Sequence, residues 1–354
     1  MKLPILLACS LAATPLFAHA DFTYQETTQI TGGSIVGMMK LAGTFSKQAR
    51  QANEPIVSTV YVRGNRMARI NKDTSEIIDL DAETVTVIDN QKKQYTTMTF
   101  AQMRAQVDAA VAKAKAQQAK QQAAAPTDNT AQQVDLKFNV KVRNTDATRD
   151  VAGMNAKEAI MTMTMDATDQ KSGQTGSLAI TNDMYLASDI PGYDEVRDFY
   201  KRYAQKMGTV MSGTINPQMF AAMGQPAAGQ GIADMVKEMS KLKGVPVLQI
   251  MRMGTTLNGD PLPAASEAAL PTGPPTPSAG DIAKAAVMNS LPFGGFGRKK
   301  KQEDPPPAAN AAQATSAVLV ESTTQVSQCS TTSVDASQFN PPAGYKQVDF
   351  KQID

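Results

Sequence analysis

Between Glu54 and Phe100 short β-branched runs alternate with turn residues, a rhythm that predicts antiparallel hairpins. Strands are expected at residues 56–63, 66–71, 76–80, 84–88 and 94–99. Gly64-Asn65 supplies the positive φ of a two-residue turn, and Asp81-Ala82-Glu83 and Asp89-Asn90-Gln91 separate the later strands. The cleanest pattern is 134–143, where Val134, Leu136, Phe138, Val140 and Val142 alternate with Asp135, Lys137, Asn139, Lys141 and Arg143. One face of this strand is apolar and the other polar. Residues 157–168 and 176–188 continue the meander through the turn-rich connector 169–173. In 245–256, Val245, Val247 and Met251 oppose Leu248, Ile250 and Arg252, so both faces are partly apolar and the strand is expected to be central. Strand character resumes over 315–332.

Helical spacing interrupts this pattern three times. Thr99 and Gln102 have the spacing of a capping box ahead of Met103, Val107, Ala110 and Val111. The Ala/Gln/Lys run 112–125 is expected to leave the core and dissolve into a linker at 126–131. After Pro191-Gly192, the residues Val196, Phe199, Tyr200, Tyr203 and Met207 form one stripe, with Gly208 placed as a stop. In 231–242, Ile232, Met235, Val236 and Met239 share a side, and Gly244 ends the helix. Segments 258–280 and 294–314 are rich in Pro, Ala or Gly, and neither composition buries enough surface to offset chain entropy. A short helix is expected between them at 281–291.

The expected fold is mainly β with α: a curved antiparallel sheet with packed helices. It is assigned to residues 21–256, with a helical Ala/Gln-rich insertion near 100–132. Residues 257–314 are read as a low-complexity linker, and 315–354 as a C-terminal strand and tail that complete the sheet. Residues 1–20 read as a secretory signal peptide: Lys2 precedes an apolar run, and Ala18-His19-Ala20 marks cleavage after Ala20. The competing reading is a lipid anchor at Cys9. Cleavage after Ala20 removes the only histidine and leaves Cys329 as the single cysteine, so no internal disulfide is expected in the exported chain. Its expected location is the periplasm.

Composition narrows the function classes. Lys and Arg number 35 against 33 Asp and Glu, a balance that argues against general nucleic-acid binding. After the signal segment no apolar run approaches the roughly 20 residues that span a bilayer, so no transmembrane segment is expected. Without histidine, and with one thiol, structural zinc is not expected. Glu76, Asp79, Asp81 and Glu83 crowd one turn but lack the EF-hand pattern, and solvated turn carboxylates are the better reading. Ser240 and Lys243 match S-x-x-K without the companion K-T-G, too little for a Ser-Lys hydrolase. Met161, Met163 and Met165 place three thioethers on one strand face, which suits soft Cu(I) or, more simply, an apolar surface. The basic run Arg298 to Lys301 suits anionic headgroups or an acidic partner, but Glu303 and Asp304 cancel part of it. No catalytic residue and no cofactor is assigned.

Several stretches carry a resemblance: Arg63-Gly64-Asn65-Arg66-Met67, Ile78-Asp79-Leu80-Asp81 through Val87-Ile88-Asp89, Lys93-Gln94-Tyr95 and Pro342-Ala343-Gly344-Tyr345-Lys346. Together with the β meander they resemble an uncharacterised bacterial family of exported domains, itself similar to the LolA and LolB lipoprotein carriers and receptors. The resemblance covers roughly 21–100, 134–208 and 245–256, plus the tail. It implies a sheet curled into an incomplete barrel closed by helices and a hollow that shelters acyl chains. The chain departs from those carriers in having no tryptophan and in its long Ala/Gln and Pro/Ala insertions.

The expected function is therefore non-enzymatic binding of a lipid, a lipoprotein acyl chain or another apolar ligand. Phe138, Met161, Met163, Met165, Val247 and Met251 are the candidate lining, and the same residues equally suit a filled core. The alternative is an envelope interaction or stress-sensor scaffold that contacts a protein partner and carries no ligand.

Overall fold

The computed structural model describes residues 21–34, 36, 54–124, 134–169, 175–211, 226–257, 259–270 and 316–349. Their strands are β1 (Phe22–Gly32), β2 (Ile56–Arg63), β3 (Arg66–Ile70), β4 (Thr74–Asp79), β5 (Thr84–Asp89) and β6 (Gln94–Thr99), then β7 (Val134–Val151), β8 (Met154–Asp169) and β9 (Thr175–Ala187). Strands β10 (Val245–Leu257), β11 (Ser316–Ser330) and β12 (Lys346–Gln347) complete the set. All twelve join one open sheet in the order β12-β6-β5-β4-β3-β2-β1-β11-β10-β9-β8-β7. Every pairing is antiparallel except β12 with β6. The α+β class and the hairpin pattern expected from the sequence are therefore present. The C-terminal strands enter the sheet both at its middle, through β11, and at one edge, through β12.

Three α-helices have described bounds: α1 (Phe100–Ala124), α2 (Asp194–Met211) and α3 (Pro226–Met239). The capping box at the start of α1 is formed: the Thr99 amide donates to Gln102 Oε1 (2.8 Å) and the Gln102 amide to Thr99 Oγ1 (3.1 Å). Helix α1 continues through the Ala/Gln run to Ala124. Helix α2 passes Gly208, where the sequence pattern placed its end. Gly208 has no left-handed φ, and a glycine in an exposed helix turn costs only about 1 kcal/mol relative to alanine. Gly244 does terminate the turn after α3, at φ 110°.

The main core lies between α2 and the sheet. Phe22, Val60, Val62 and Met67 from β1–β3 pack with Val196 and Phe199 of α2 and with Phe100 at the head of α1, all buried. A second cluster covers the opposite face of β2–β6: Ala68, Ile77 and Ile88 are sealed by Val334 and Phe339, with Tyr345 alongside. The tail is thus anchored on this face by Phe339 and Tyr345. A bulge between Pro246 and Leu248 corrects the expected faces of β10. Val245 opposes Ala187 and Leu248 opposes Tyr185, two residues apart on one strand, so Val245 and Leu248 share a face.

Residues 259–270 differ from the free linker expected there. They lie along the sheet, with Leu262 and Ala264 fully buried. The rest of that stretch, including the helix expected at 281–291 and the basic run at Arg298, falls outside the described residues, as do residues 1–20.

Candidate functional site

Directly opposed residues in an antiparallel sheet put their side chains on the same side, so the register identifies which residues share a face. Val142 opposes Met161, Met161 opposes Asn182, Asn182 opposes Met251, and Met251 opposes Ser322. One row further along, Val140, Met163, Ile180, Met253 and Val320 line up in the same way. The next row holds Phe138, Met165 and Leu178. Five methionines, at 161, 163, 165, 251 and 253, therefore share one side of four neighbouring strands with Phe138, Val140, Val142, Leu178 and Ile180.

This is also the side that carries the helices. Ser322 opposes Ile30 of β1, which lies eight residues from Phe22 and so on the same side as that core phenylalanine. Helix α3 reaches the methionine face from the β7 edge. Gly231 sits so close to Phe138 that an added Cβ would lie 2.6 Å from the Phe138 Cβ, and the Val142 amide donates to Glu238 (3.2 Å). Glycine at 231 is what lets the helix approach the ring. Past the end of α3, Leu242 packs with Ala159, Met184 and Met161.

Burial distinguishes this face from the core. Met251 is 38 % exposed, and Phe138, Met161, Met163, Met165, Leu178, Ile180 and Met253 are half-buried. Val247, placed by the sequence among the lining residues, is instead fully buried in the main core beside the bulge. The structure thus brings together Phe138, Met161, Met163, Met165 and Met251, and separates Val247 from them. Met253, Ile180 and Leu178 were missed by sequence reasoning, although Met253 follows Met251 by the two-residue period of a strand.

The other motifs resolve into local structure. Asp79 accepts the amides of Asp81 and Ala82 (both 2.9 Å) and pairs with Arg66, while Glu83 pairs with Lys206. Ser240 Oγ donates to the Lys237 carbonyl (2.7 Å), the ordinary bond of a serine closing a helix. Among the described residues no group of three His, Cys, Asp or Glu side chains converges as a metal site, and no helix is long and apolar enough to cross a membrane. Cys329 is half-buried against the main core, where burial raises its thiol pKa.

A scan of the chain against known protein families finds no match, and a search of curated proteins finds none either.

Proposed function

We propose that the chain is an exported, non-enzymatic binding protein that holds an apolar ligand, a lipid or a lipoprotein acyl chain, against the methionine face of β7–β10. In this reading the open sheet curls into an incomplete barrel with the helices and the methionine face inside, as in the LolA and LolB carriers. The observation that carries it is the gathering of five methionines with Phe138, Ile180 and Leu178 on one helix-bearing face that is only half-buried. Methionine is unbranched and polarisable, so a surface rich in it adapts to guests of varied shape. Transfer of a sixteen-carbon chain from water to such a surface is worth on the order of 12 kcal/mol at about 0.8 per methylene, ample to offset the loss of freedom on binding.

The test is binding of a fluorescent monoacylglycerol, chosen for its uncharged head. The native protein is expected to bind it saturably. Met163→Asp places a carboxylate in the middle row of the face and is expected to weaken binding at least about tenfold. Lys141→Asp, on the opposite, exposed side of the β7 edge, should leave it unchanged. No binding by the native protein, or equal losses from both variants, would overturn the proposal.

A further inference from the structure

The reverse side of β8–β10 is built differently. Here buried polar side chains hold residues 259–270 as a strap. Gly259 donates its amide to Ser177 Oγ (2.9 Å), Thr181 Oγ1 donates to the Leu262 carbonyl (2.6 Å), and Arg252 donates to the carbonyls of Pro263 and Ala264 (both 3.0 Å). The Ser266 amide donates to Asp183 Oδ2 (3.0 Å), and Glu267 pairs with Arg143.

Beneath Ser266 lie two acids. Asp183 is 0 % exposed and Glu158 4 %. Glu158 opposes Tyr185, which lies two residues from Asp183 on β9, so both carboxyls project from the same side of the sheet. Glu158 accepts from the Tyr185 hydroxyl (3.2 Å) and from Thr145. Asp183 Oδ1 is buried and receives no donor among the described residues. An oxygen buried without a donor is costly, and two buried carboxylates side by side are costlier still. A proton on Asp183 Oδ1, donated to Glu158, removes both costs in one bond. We infer that Glu158 and Asp183 hold a single proton between them and that this shared proton locks the 259–270 strap to the sheet.

The surrounding charges leave that pair to itself. Arg143 of β7 is engaged by Glu267 of the strap, Arg149 of β7 lies over the Tyr185 ring, and Arg252 of β10 is held by Glu321 of β11. Among the described residues none of these cations bonds to either acid. Burial, and then the charge on Glu158, push the Asp183 carboxyl above its ordinary range, opposed by the amide and the side chain of Ser266. Burial works the other way on Glu158, but hydrogen bonds from Ser266, Thr145, Asp183 and Tyr185 outweigh it and hold that carboxyl below the usual range. The signs follow by linkage. The Asp183 contribution is present at low pH and is lost as pH rises through its raised pKa. The Glu158 contribution is present above the ordinary glutamate pKa and is lost as pH falls through its depressed one. The strap is therefore held most firmly between the two and loosens on the alkaline side as Asp183 ionises.

Hydrogen-exchange protection of 259–270, corrected for intrinsic rates and followed from about pH 5 to about pH 9, tests this. In the native protein the protection is expected to fall at least about tenfold with rising pH, while the tail segment 334–345 stays unchanged. Asp183→Asn keeps a donor toward Glu158 and removes the titration, so its strap should stay protected across the range. Glu158→Gln donates to an ionised Asp183 and should likewise abolish the alkaline loss, which keeps the test decisive if one variant fails to fold. A flat native profile, or an alkaline loss of equal size in both substituted proteins, would overturn the inference.

Discussion

Replacing Phe199 with alanine is expected to destabilise the protein by about 3–5 kcal/mol, the range for emptying a fully buried aromatic site. Phe199 is 0 % exposed at the centre of the α2 stripe. Its ring stacks on Tyr203 at 6.3 Å and meets Tyr200 edge-on at 5.7 Å. Removing it deletes the transfer energy of the ring and leaves a hole under α2 that the Tyr203 and Val196 side chains are too constrained to fill. Urea unfolding followed by circular dichroism should show the midpoint fall sharply with an unchanged slope. Tyr200→Ala, on a residue 37 % exposed, should cost much less. Equal effects at the two positions would mean that α2 does not seal the core as described.

Arg252→Met is expected to have an effect of similar size for a different reason. The Arg252 side chain is 3 % exposed and donates from Nε to Glu321 (2.8 Å) as well as to the two strap carbonyls. Removing one partner of a buried ion pair leaves the other charge uncompensated, at a cost of about 3–5 kcal/mol. Removing both is far milder. The double substitution Arg252→Met with Glu321→Leu should therefore recover most of the loss, leaving mainly the deficit of the Pro263 and Ala264 carbonyls. Unfolding free energies of the two single variants and the double variant provide the cycle. Additive losses would show that the pair carries no coupling.

Local chemistry was the part of the fold legible in the sequence. The Gly64-Asn65 turn, the bounds of β2 and β6, and the Thr99/Gln102 cap all depend on neighbours within a few residues. Strand β1 was not read as a strand, although Phe22 and Tyr24 alternate with polar residues. Its place at the centre of the sheet comes from pairing with β11, as in the Thr28–Thr324 side-chain bond (3.1 Å), which no local pattern reveals. The 259–270 strap was read as linker for the same reason: its Pro and Ala residues bury little by themselves, and what orders it are Arg252, Thr181 and Asp183 on distant strands. Of the candidate lining, the M-x-M-x-M run fixed its own face by alternation. Val247 was misplaced because alternation gives the side of a strand and not the depth along it: Val247 lies in the packed main core rather than on the half-buried face.

The most direct test of the central claim is methyl NMR of the full chain carrying ¹³C-methyl methionine, titrated with the same monoacylglycerol. The signals of Met161, Met163, Met165, Met251 and Met253 are expected to shift together and saturate, while that of Met67, 2 % exposed in the main core, stays in place. Five unmoved signals at excess lipid, or a shift of Met67 as large as theirs, would contradict a binding face on β7–β10.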